Sequence, residues 1–141
     1  MSIIKLTNFV DAEDTYQLLY SWCCDKNVYE WFEQRILSYE EIVKKYKNKY
    51  LKGNQQLFLI SYDDKPIGLV QIYKYNDFMF NELKGYKKIY EYDLFIGDSN
   101  YLHKGIGTKV IEIVNNYIYD NYQADCIVLR PFKRNQIAIR A

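Results

Sequence analysis

Tyr101-Leu102-His103-Lys104-Gly105-Ile106-Gly107-Thr108 is the stretch that decides the fold. On its N-terminal side lies Ile89 to Ile96, a run of aromatic and branched residues that predicts a long strand. On its C-terminal side, Ile106, Val110, Ile113, Val114, Tyr117 and Ile118 recur at helical spacing. That one-face stripe predicts a helix opened by Gly105 and running to about Asn121. Two glycines let the backbone approach a ligand closely, and the first amides of a helix have no internal partners. Together they suit an anion such as phosphate. Taken alone, the pair of glycines serves equally well as a flexible helix start. It has neither the third glycine of the dinucleotide fingerprint nor the Gly-Lys-Ser/Thr of a P-loop.

Working outward, Cys126 to Leu129 is a short apolar run, predicted as a buried strand parallel to Ile89–Ile96 through a right-handed crossover. Asn135 caps a last helix that begins at Gln136. Toward the N-terminus, Gln56–Ser61 and Ile67–Tyr75 flank the turn Asp63-Asp64-Lys65-Pro66 and form a hairpin. Asn76–Lys88 is a polar loop. Ile3–Leu6 is a first strand, and Asp11 caps a helix from about Ala12 to Cys24. Asp25–Leu37 is irregular. Ser38-Tyr39-Glu40-Glu41 is a capping box that starts a helix ending near Gly53. The fold class is thus α/β, with an α+β mixed sheet, in a single domain over residues 1–141. The chain stops within its last helix, so the C-terminus is expected to be incomplete.

Composition narrows the function. The 141 residues are 49% hydrophobic and 26% charged, enough apolar surface for a packed core. Sixteen Tyr, seven Phe and two Trp supply bulk with polar tips. Nineteen basic against 18 acidic residues leave a net charge of +1, which argues against nucleic acid as the main partner. No apolar run is long enough to span a membrane, and the first residues lack the layout of a signal peptide. Cys23, Cys24 and Cys126 show no disulfide framework and no zinc spacing. The expected location is a reducing cytoplasm.

Several separated segments resemble the GNAT acetyltransferases, and within them the aminoglycoside 6'-N-acetyltransferases. They are Pro66-Ile67-Gly68-Leu69-Val70-Gln71-Ile72-Tyr73, Tyr92-Asp93-Leu94-Phe95-Ile96-Gly97, Lys104-Gly105-Ile106-Gly107-Thr108-Lys109 and Asn135-Gln136-Ile137-Ala138-Ile139-Arg140-Ala141. The resemblance implies acetyl-CoA as co-substrate and no metal. It places the pyrophosphate on the backbone of His103, Lys104, Gly105, Ile106, Gly107 and Thr108. The pantetheine arm lies along Leu94, Phe95 and Ile96, and Asn135 contacts the coenzyme. It makes Asp93 the base beside the reacting amine, and puts Gln71 and Tyr73 on the acceptor side. Asp77 and Glu82 in the polar loop would hold a polycationic sugar by charge. Glu91 shares the strand face of Asp93 and adds to the acceptor cleft. Trp31 and Phe32 would line an acceptor wall or pack in the core.

The implied reaction is acetyl transfer to a primary amine of a small molecule, an aminoglycoside 6'-amine first, by direct attack in a ternary complex. Such an amine titrates near 10 when free, so the site must take its proton or lower its pKa. Arg130-Pro131 stands where that group commonly has Asp-Pro. It supports an alternative acceptor: a polyamine, a peptide amine or an amino-acid-like metabolite whose carboxylate or phosphate the arginine would hold. A third alternative is a coenzyme-A-binding module without turnover. The group's tyrosine general acid belongs to a segment beginning just after Ala141. Without it and the last two strands, activity is expected to be weak. The exposed sheet edges would make a homodimer a possible assembly.

Overall fold

The computed structural model describes residues 2–30, 34–53, 55–74 and 88–128. Trp31, Phe32, Asp77, Glu82, Arg130, Asn135 and the helix expected from Gln136 lie outside the described residues. The elements run β1 (Ile4–Asn8), α1 (Glu13–Cys23), α2 (Lys26–Tyr29), α3 (Tyr39–Lys52), β2 (Gln55–Tyr62), β3 (Lys65–Lys74), β4 (Ile89–Ile96), α4 (Ile106–Tyr122) and β5 (Cys126–Val128). Among the described residues the strands form one sheet in sequential order. β1 through β4 pair antiparallel, and β5 adds parallel to β4. This is the mixed sheet expected from sequence.

Alternation along the strands sends side chains to two faces. Leu57, Leu59, Leu69 and Phe95 pack under α1, α2 and α3 with Leu19, Trp22, Val28, Ile42 and Tyr46. Phe58, Ile60, Val70, Ile72, Tyr92 and Ile96 pack under Ile106, Val110, Val114 and Ile118 of α4. Four members of the stripe read from the sequence thus form the buried face of α4, with Tyr117 partly buried beside them, whereas Ile113 is half-buried and lies outside that cluster.

The capping box at Ser38 forms as expected. Its hydroxyl accepts from the Glu41 amide at 3.2 Å, and Glu41 accepts from the Ser38 amide at 3.0 Å. α3 ends at Gly53, which turns left-handed at φ 69°. Asp11 does not cap α1. Ala12 occupies the cap position without a side-chain bond, and the Asp11 carboxylate instead accepts the Tyr16 hydroxyl. Its side chain is one residue too early to reach the first amides. The segment expected to be irregular contains α2, capped by Asp25. The hairpin turn is shorter than expected. Asp63 and Asp64 both adopt positive φ, as a two-residue type I′ turn requires, so Lys65 and Pro66 already belong to β3. Pro66 lies opposite Ser61, beside a shift in register where a missing amide is tolerated.

Candidate active site

Strand register builds the acceptor side. β2, β3 and β4 align three rows of side chains on the face beneath α1 and α3. The first is Leu59, Leu69 and Phe95, wholly apolar; the second is Leu57, Gln71 and Asp93; the third is Gln55, Tyr73 and Glu91. Polarity thus rises stepwise along one face. Gln71, Tyr73 and Asp93, which the resemblance implies for the acceptor side, and Glu91, which strand alternation puts on their face, form one contiguous patch. Gln71 and Glu91 are 5% and 4% exposed, so neither is an ordinary solvated strand residue.

Within the patch the Tyr73 hydroxyl donates to Asp93 Oδ2 at 2.9 Å. Burial raises the Tyr73 pKa well above the usual phenol range, and the charges of Asp93 and then Glu91 add to the rise. The phenol therefore stays protonated at any working pH and keeps donating. That bond fixes one carboxylate oxygen of half-buried Asp93. From above, Lys49 of α3 donates to Gln71 Oε1 and lies 5.4 Å from the centre of the Tyr46 ring.

Lys49 and Gln55 are members of the patch that the sequence reading missed. Lys49 follows Ile42 by seven and Tyr46 by three, both buried, so a lysine on that stripe was a signal. Gln55 continues the Leu59, Leu57 alternation to its polar end.

The second half of the site begins at the residue after Asp93 in β4, Leu94. The described ladder to β5 spans only Ile89–Glu91, so Leu94, Phe95 and Ile96 extend past it. Phe95 and Ile96 are core residues on opposite faces of the sheet. The turn after β4 is pinned tightly. The Gly97 and Asp98 amides donate to Ile67 O at 2.7 and 3.1 Å. A Cβ at Gly97 would lie 2.1 Å from the Trp22 ring, which explains the glycine. Asp98 accepts from the Asn100 amide at 3.0 Å and pairs with Lys65 at 3.2 Å. Partial burial opposes its ionisation, but those two donors outweigh it and lower its pKa. Tyr101 packs against Tyr62 at a tilt, with ring centres 5.0 Å apart and Lys65 over its face.

From this anchored turn the chain enters α4 through His103 at φ 61° and Gly105 at φ 75°. Gly105 takes the cap position, and no side chain caps the helix. Ile106 is buried and holds the helix start on the sheet, while His103, Lys104, Gly105 and Thr108 are exposed. A Cβ at Gly105 or Gly107 would meet nothing within 4 Å. Uncapped amides, open space and the neighbouring Lys104 and Lys109 fit a diphosphate. Among the described residues, no group of His, Cys, Asp and Glu could hold a metal ion.

The model of the Acetyltransferase (GNAT) domain family matches residues 11–141. The chain belongs to this family. It is an acetyltransferase of the GNAT fold, and the acetyl donor of such enzymes is acetyl-CoA. Acetyltransferase PseH of Campylobacter jejuni is 23% identical over 140 residues, which cover 98% of this chain and 80% of that protein. The crystal structure of aminoglycoside acetyltransferase AAC(6')-Ib with coenzyme A and kanamycin superposes with a TM-score of 0.77 at 19% identity. It covers 99% of this chain and 80% of that one. RimL, a ribosomal L7/L12 alpha-N-protein acetyltransferase solved with coenzyme A, gives 0.73 at 14%, over 97% and 75%. At these identities the structural likeness speaks for the GNAT fold alone. Among the described residues, no helix is long and apolar enough to cross a membrane.

Proposed function

We propose that this chain acts as one domain and moves the acetyl group of acetyl-CoA to a primary amine of a small molecule. An aminoglycoside 6'-amine is first among the acceptors. The observation that carries this reading is the carboxylate of Asp93, half-buried in a polar patch and oriented by the Tyr73 hydroxyl at 2.9 Å. When bound, the coenzyme supplies an acyl group activated as a thioester. The residues of this chain do the rest. Backbone amides at the start of α4, with Lys104 and Lys109, hold the diphosphate. The backbone of Leu94, Phe95 and Ile96 aligns the arm as an added strand would. Asp93 draws the proton from the acceptor ammonium, directly or through water, so that a neutral amine attacks. Glu91 keeps a second negative charge beside a cationic acceptor. Cys23 is buried in the α1 core, which speaks for direct transfer rather than an acyl-cysteine at that position.

A second reading is favoured by Lys49. A lysine over Gln71, directly across from Asp93, suits an acceptor that carries a carboxylate or phosphate near its amine. The deciding experiment is product mass after incubation with acetyl-CoA and a panel of kanamycin-type aminoglycosides, polyamines and amino acids. Acetylated aminoglycoside from the parent chain, lost in Asp93→Asn, supports the first acceptor. Acetylation confined to anionic amines moves the assignment to the second. Silence across the panel rejects acetyl transfer to these amines.

A further inference from the structure

Three acceptor groups crowd the polar end of the patch, and its one phenolic donor is already used. Asp93 and Glu91 are carboxylates, and the Tyr73 hydroxyl gives its proton to Asp93. The third acceptor is Gln55 Oε1. It is buried and, among the described residues, receives no hydrogen bond. Gln55 lies directly across from Tyr73, which in turn lies across from Glu91, so these three side chains share one row. A buried amide oxygen without a donor lowers stability, and such atoms are few in folded proteins. In the row next to Gln71 and Asp93, the missing donor is one that an amine acceptor can bring.

We propose that Gln55 is a specificity-determining residue, whose amide oxygen accepts a hydrogen bond from a hydroxyl or ammonium of the acceptor adjacent to the reacting amine. The substrate class this implies is a polyhydroxylated or polyamino compound with donors on neighbouring carbons. A simple alkylamine would leave the oxygen unpaired. This inference rests on the acetyl-transfer reading.

The test is Gln55→Met, which keeps length and loses the acceptor atom, measured on the amine that the parent chain turns over. Removing an orphaned buried oxygen should leave Tm equal or higher. The acceptor KM should rise about five- to tenfold, as for one lost hydrogen bond. The KM for acetyl-CoA and kcat should hold. Gln55→Glu, which retains an acceptor oxygen, should return the acceptor KM to within about twofold of the parent. A lower Tm in Gln55→Met means that the fold itself supplied the partner, and it overturns the proposal. An unchanged acceptor KM overturns it too, while leaving acetyl transfer intact. A parent chain that acetylates no amine defeats the acetyl-transfer reading and this inference with it.

Discussion

The two faces of this sheet carry the same strands and opposite chemistry. Beneath α4 every inward position of β2, β3 and β4 in the core is apolar or, at Tyr92, an aromatic whose hydroxyl is matched to Asn115 at 2.9 Å. Burial pushes the Tyr92 pKa up to about 12, so it too stays neutral. Beneath α1 and α3 the apolar pattern stops after Phe95, Leu69 and Leu59, and the next two rows hold five polar side chains. Burying such groups costs stability unless they are paired or used. One face is built to hold the fold together, and the other gives up packing for the polar patch proposed to receive the acceptor.

The sharpest break of that comparison is Asp93→Asn, which keeps shape and removes the proposed base. A drop in kcat of about 10²–10⁴ is expected, the usual contribution of general acid–base catalysis. Tm should stay within a degree or two of the parent. A large fall in Tm with kcat preserved would make Asp93 a structural residue and dissolve the distinction between the faces. The mirror experiment is Ile118→Ala on the other side. Ile118 of α4 is fully buried against the sheet, so truncation should cost about 2–5 kcal/mol by chemical denaturation. The kcat of the fraction that remains folded should not change.

Tyr73→Phe sharpens the comparison within the reactive face. It removes the hydroxyl that fixes Asp93 Oδ2 but keeps the ring. A hydrogen bond to a charged group is worth about 1.5–3 kcal/mol, so kcat should fall about ten- to a hundredfold with acceptor KM little moved. If Tyr73 acts through Asp93, the double variant with Asp93→Asn should be no slower than Asp93→Asn alone. Additive losses would mean that the phenol touches the acceptor itself.

Much of this was legible in the sequence, and the rest was hidden for identifiable reasons. β4 has the bounds Ile89–Ile96 expected from composition, and the stripe read for α4 holds all four of its buried residues, Ile106, Val110, Val114 and Ile118. Both rest on periodicity within one segment. The capping box at Ser38 is local chemistry over four residues. Glu91 and Asp93 were placed on one face because alternation needs only a single strand. Gln55 and Lys49 were missed because their roles depend on register between strands and on which helix covers the patch. Asp11 was misjudged because the helix starts one residue later than its side chain can cap, with Ala12 at the cap position. The glycine pair was ambiguous by itself; positive φ at His103 and Gly105, an uncapped helix and open space are tertiary facts.

The smallest effect lies far from the patch, at the start of the helix that lends it Lys49. Glu41 accepts from Arg35 and from the Ser38 amide, and these donors, Arg35 first, lower its pKa from 4.5 to about 2. A carboxylate whose folded pKa lies below its unfolded value adds stability that is complete above the unfolded pKa. That stability is lost as pH falls through the folded one. Tm of the parent should therefore exceed that of Glu41→Gln most near pH 6, with the gap narrowing below about 4.5 and closing near 2. Ser38→Ala removes the other half of the box. It should cost about 1 kcal/mol, because the Glu41 amide loses its acceptor. Acetyl transfer at neutral pH should survive both changes, since they loosen the first turn of α3 while Lys49 sits near its other end. A kcat that fell with either variant would tie the reactive face to the helix above it more tightly than one lysine contact accounts for.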